Sequence, residues 1–112
     1  MTNYEFGDVV LIPFPFTDQT TSKKRPAVVV SSDDYHRYRD DLLLIAVTSQ
    51  SRPTKSFEDM PVTEWKKAGL LKPSLIKPVL ATVEKSLVLR TLGRLAEQDR
   101  NNLRTFLQKI LG

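Results

Sequence analysis

The sequence predicts a small, mainly antiparallel β barrel closed by a C-terminal amphipathic helix. Short β-rich apolar runs recur between polar loops, at 9–12, 27–30 and 42–47. Pro13, Pro15, Pro78 and Gly93 punctuate the strand-like stretches, as edges and turns require. Only the last segment has a helical period, with Leu103, Phe106, Leu107, Ile110 and Leu111 forming one stripe. Several short strands with one packing helix make a single domain over residues 1–112.

The elements follow in order. "GDVVLIPFPF" (7–16) reads as a first strand that Pro13 and Pro15 end or mark as an edge. "TDQTTSKK" (17–24) is a polar loop without apolar periodicity. "RPAVVVSS" (25–32) is a second strand, in which Pro26 is tolerated only near the start. "DDYHRYRDD" (33–41) is a polar excursion of about one helical turn. "LLLIAVTSQ" (42–50) is a third strand, and its unbroken apolar run implies burial on both faces. Residues 51–63 form a loop with room for a short edge strand. "TEWKKAG" (63–69) resembles a brief helix with Thr63 as N-cap and Gly69 as its stop. Residues 74–95 hold two or three short strands broken at Pro78 and Gly93. In the final helix Glu97 and Asp99 complement the dipole at one end and Lys109 at the other.

Composition bounds the chemistry. The chain has 112 residues, is 40% apolar and 27% charged, and carries a net charge of +4. Residues 1–56 balance 7 Lys/Arg against 7 Asp/Glu, whereas residues 57–112 carry 10 against 6, so the whole excess is in the second half. A basic balance favours polyanionic partners, either nucleic acid or an acidic protein. With no cysteine there are no disulfides and no thiolate metal sites. No membrane span is expected, and "MTNYEFGDVV" lacks the regions of a signal peptide, so the expected compartment is the cytoplasm. A lone histidine, His36, cannot build a histidine metal site or most nucleophilic triads, and is read as a surface residue. No metal or cofactor is expected. The pairs Asp33-Asp34 and Asp40-Asp41 flank Arg37 and Arg39, and local neutralisation is the preferred account of them.

Arg25 and Thr48 stand apart, one beginning a strand and the other ending the next. Antiparallel pairing would bring them to the same rim. A guanidinium there offers forked donors suited to phosphate, and the hydroxyl adds a donor and an acceptor. Ser49 and Gln50 extend the polar patch. From pattern alone the plainer account is preferred: a rim arginine on loop carbonyls and a threonine at a strand end.

The order and spacing of "GDVV", "KRPAVVV", "VTSQ", "AGLLKPSLIKP" and "TLGRLAEQD" before an amphipathic helix resemble the PemK/MazF family of toxins, over roughly residues 6–111. The resemblance implies an SH3-like β barrel that forms a homodimer. It implies a metal-independent, sequence-specific endoribonuclease acting on single-stranded RNA, and a cognate antitoxin whose acidic C-terminal tail occupies the RNA groove. Residue by residue, it makes Arg25 and Thr48 the catalytic pair, with Gln50 in the polar position after it. Lys23 and Lys24 are then placed to meet the RNA backbone, and Ser49, Lys77 and Thr82 are further candidate groove residues. Trp65 could stack a base, although packing is the preferred reading.

Two departures from the family bear on mechanism. Some members carry a glutamate five residues before the arginine, where this chain has Thr20. Asp18 is nearby and is the candidate substitute, which leaves the general base open. Some members carry Arg and Asp in the strand aligned with "SLIKP", where this chain has Ile76 and Pro78. The competing expectations are a non-catalytic dimeric binding module of the same fold, or a toxin that poisons DNA gyrase.

Overall fold

The computed structural model describes residues 3–13, 23–49 and 59–112. Among them six strands form one sheet: β1 (Asp8–Pro13), β2 (Lys24–Val29), β3 (Asp41–Thr48), β4 (Met60–Pro61), β5 (Leu75–Glu84) and β6 (Arg90–Arg94). Their order is β4-β5-β3-β2-β1-β6, and every neighbouring pair is antiparallel. The sheet curls into a half-barrel, with the C-terminal helix α2 (Glu97–Leu111) packed against it, as the sequence predicts. A six-residue helix, α1 (Asp33–Tyr38), links β2 to β3, begun by Ser32, whose side chain accepts from the Tyr35 amide.

The apolar runs supply both faces of the sheet. Val9, Val28, Ile45, Val47 and Ile76 join Leu103 and Phe106 of α2 in one core. Val10, Ile12, Ala27, Val29, Leu42 and Leu44 form a second cluster on the opposite face. β3 therefore divides its run as expected, Leu42 and Leu44 to one side and Ile45 and Val47 to the other, by the period of two. Burial of each large aliphatic side chain stabilises by about 1.5–3 kcal/mol. Together the two clusters fix the register of the central strands.

The structure corrects five local expectations. Gly93 lies inside β6, opposite Val9 of β1, and does not break a strand. Pro78 does not break a strand: β5 runs ten residues through it, and the register with β3 shifts between Ile45 and Val47. On β5 the irregularity lies across Lys77–Val79, because a proline inside a sheet is accommodated at a bulge. Residues 63–69 form successive turns instead of a regular helix, with a single four-residue bond from the Ala68 amide to the Glu64 carbonyl. Asp99 does more than complement the dipole of α2. It is fully buried and its two carboxylate oxygens accept from the amides of Thr63 (3.0 Å) and Glu64 (2.9 Å), the role expected of a local cap. In the helical stripe Leu103 and Phe106 are buried, whereas Leu111 is 68% exposed at the end of the last turn. The short edge strand expected within 51–63 is β4.

Candidate functional site

β2 and β3 carry the site. Their recorded register sets Val29 opposite Leu44, Val28 opposite Ile45 and Ala27 opposite Ala46. The ladder ends one residue after Pro26, which has no N–H to contribute. Carrying the same register two residues further sets Arg25 opposite Thr48. Opposed residues of antiparallel strands have Cα atoms about 4.5–5.5 Å apart. On the other side of β2, Arg25 lies opposite Ile12 of β1. Its strand position is thus fixed between two partners.

Arg25 and Thr48 line one groove of ≈500 Å³, and Lys23, Lys24 and Ser49 line it with them. Leu11, Val47, Leu70 and Leu92 give it an apolar lining. Two further cations, Lys72 and Arg90, complete a set of five with Lys23, Lys24 and Arg25, and no acidic residue is among the described residues lining it. Arg90 reaches the groove through sheet pairing, opposite Leu11. Lys72 reaches it through the turn that follows residues 63–69. Neither was singled out from the sequence. Arg90 sits in an ordinary strand pattern, and Lys72 is 47 positions from Arg25, so only the sheet order brings them together.

The other predicted site residues lie elsewhere. Lys77 is in the β5 irregularity, and Thr82 is exposed on β5 opposite Leu43; neither lines the groove. Asp18, Thr20 and Gln50 lie outside the described residues. Trp65 packs against the core beneath α2. His36 is held by the Ser31 hydroxyl, which also accepts from the Leu43 amide, and so belongs to the α1–β3 junction. Asp34 pairs with Arg37 at 3.2 Å and Asp41 with Arg39 at 2.9 Å, which is local neutralisation. The Tyr35 hydroxyl also donates to Asp41 at 2.6 Å. Hydrogen bonds from Arg39 and then Tyr35 hold the Asp41 carboxyl below the ordinary carboxylate range. Among the described residues, no three His, Asp or Glu side chains gather as metal ligands would, and no helix is long and apolar enough to cross a membrane.

The fold has relatives. An endoribonuclease from a mycobacterial species, solved in complex with its cognate antitoxin, superposes with a TM-score of 0.74 at 17% identity, covering 100% of this chain and 96% of that one. A second mycobacterial endoribonuclease gives a TM-score of 0.72 at 19% identity, covering 100% and 94%. At such identities the likeness concerns the fold. No protein of curated function matches the sequence. The family model of the PemK-like, MazF-like toxins matches residues 5–111. The chain belongs to the PemK-like, MazF-like toxins of type II toxin–antitoxin systems.

Proposed function

We propose that the protein is an endoribonuclease toxin that cleaves single-stranded RNA at short sequence motifs, with the β2–β3 groove as its active site. The observation that carries this is the groove's lining: five cations and no described acid surround an apolar surface, with Arg25 and Thr48 two positions beyond the end of the β2–β3 ladder. Phosphates need the first and unstacked bases the second. The endoribonuclease activity named for the two structural neighbours supports the same reading.

RNA supplies its own nucleophile. The 2′-oxygen forms a bond to phosphorus as the bond from phosphorus to the 5′-oxygen breaks. One proton leaves the 2′-hydroxyl and one arrives at the departing 5′-oxygen. The products are a 2′,3′-cyclic phosphate, or its opened 3′-phosphate, and a 5′-hydroxyl. Arg25 binds the non-bridging oxygens and stabilises the charge that accumulates on them in the pentacoordinate state. Thr48 hydrogen-bonds the scissile phosphate and, with Arg25, aligns it for in-line attack. Lys23 and Lys24 meet the backbone on one side of the cut, and Ser49 continues the polar wall, with Gln50 proposed as a further contact to the RNA. Lys77 and Thr82 lie further along β5, where a longer strand of RNA would pass. Asp18 is the candidate for taking the 2′ proton. The scheme needs no metal, the protein acts as a homodimer in the cytoplasm, and a cognate antitoxin with an acidic C-terminal tail competes for the cations of the groove. The neighbour solved in complex with its cognate antitoxin supports an antitoxin partner.

The test is to incubate the protein and Arg25→Ala with a long single-stranded RNA in excess EDTA and to map the fragment ends. Discrete cuts that leave 5′-hydroxyl ends and vanish in the variant are expected. No cuts by the folded protein would leave a binding module or a gyrase-directed toxin.

A further inference from the structure

Among the apolar residues that line the groove, Leu71 stands out by its exposure. Leu71 lines it between buried Leu70 and exposed Lys72, and it is 93% exposed. A leucine so open to water on a mobile tip would need no explanation, since scattered surface apolar residues are ordinary. Leu71 is on a segment tied down at several points. Asp99 holds the amides of Thr63 and Glu64 at its start. Ala68 and Leu70 are buried, and the Leu70 amide donates to the Trp65 carbonyl at 3.0 Å. At Gly69, with φ +83°, a Cβ would stand 2.1 Å from the Leu92 carbonyl oxygen, so only glycine lets this turn lie directly on β6. The result is a fixed wall whose outermost side chain is apolar, standing among cations.

We infer that Leu71 is a specificity-determining residue that wedges against an unstacked base beside the scissile phosphate. The inference rests on the endoribonuclease reading of the groove. A groove lined by five cations favours a polyanion, and among polyanions nucleic acid offers flat apolar faces next to each phosphate. Aliphatic wedges, leucine among them, are used by nucleic-acid-binding proteins to part neighbouring bases. Lys72, the next residue, is placed to hold the adjoining phosphate, so that the pair measures one nucleotide step. A larger base covers more of the side chain, and the contact therefore discriminates by base size.

The experiment compares wild type, Leu71→Ala and Leu71→Met on short oligoribonucleotides that carry one cleavage motif and vary the bases on either side of the cut. Because Leu71 is exposed, the variants should keep the wild-type melting temperature. Leu71→Ala is expected to raise KM about fivefold to tenfold with kcat unchanged, the loss of one apolar contact made equally in ground and transition states. The base preference at one flanking position should flatten, and Leu71→Met should restore both. Wild-type KM and preference in Leu71→Ala, with wild type cutting normally, would overturn the wedge and leave the endoribonuclease standing. If wild type itself cuts nothing, both readings fall together. A Leu71→Ala protein that sediments as a smaller species would assign the residue to a subunit contact, and would overturn the wedge also.

Discussion

Two arginine-bearing regions of this small sheet differ in how their charge is spent. Between α1 and β3, Arg37 faces Asp34 and Arg39 faces Asp41, while Tyr35 adds a hydroxyl to Asp41. The hollow there, lined by Tyr4, Tyr38, Arg39, Asp40, Asp41 and Glu84, among others, mixes both signs. In the β2–β3 groove the cations come from three separate stretches of chain, and no described acid lines it with them. Arg90 and Arg94 show the same contrast within one strand: Arg94 pairs with Glu5 at 3.4 Å, and Arg90 lines the groove. Part of the difference is already in the sequence, where residues 33–41 set four aspartates against two arginines and residues 23–25 are three consecutive cations. What separates them after folding is the lining: both signs in the first, and among the described residues of the second only cations. Cations gathered in one groove repel one another, and their concentration there supports the polyanion site proposed above.

The contrast yields predictions that weaken in order. Arg25→Ala should lower cleavage about 10²–10³-fold, the usual effect of losing one preorganised donor to developing charge. Single-turnover rates would measure it, and a wild-type rate would return Arg25 to a rim residue. Asp99→Ala attacks the mount of the groove, not its charge. It deprives two amides of their partner, so a loss of about 2–4 kcal/mol is expected from urea denaturation. Asp99→Asn, which keeps one acceptor, should lose less.

Arg90→Glu puts an acid into the groove and makes it resemble the balanced region. RNA affinity should fall about tenfold, and the slope of log affinity against log salt should shrink by about 0.7 for one lost phosphate contact. Fluorescence anisotropy across a salt series reads both. An unchanged slope would mean that Arg90 meets no phosphate. The smallest effect is expected where charges are already paired. Arg39→Ala should leave cleavage unchanged, and should only alter stability with pH. The Asp41 carboxyl is held low by Arg39 and Tyr35, so its contribution is present above the unfolded value of about 4 and is lost as pH falls through the lowered one. The variant should therefore differ from wild type in urea midpoint at pH 7 and converge with it in acid.

Much of the fold was legible. The runs at 9–12, 27–29 and 42–47 are strands because period-two burial of β-rich residues leaves little alternative. The stripe from Leu103 to Ile110 could only be a helix packed on that sheet. Pro78 misled because a proline's cost depends on whether the neighbouring strand can accept a bulge, which is a property of the pair. Asp99 misled because an acid in a first turn looks the same in sequence whether it faces water or two amides 35 and 36 residues away.

By itself, then, the sequence determined the local elements, the alternation that buries both faces of β3, and the adjacency of Arg25 to Thr48, since the last follows from two strands pairing in the ordinary way. Only the tertiary structure decided which other cations share their groove, because Lys72 and Arg90 arrive through β6 and a turn seated on it. It also decided that Leu71 stays in water while Leu70 is buried. Apolar pattern specifies how much surface must leave water. It does not specify which of two adjacent leucines the closing of the fold leaves outside.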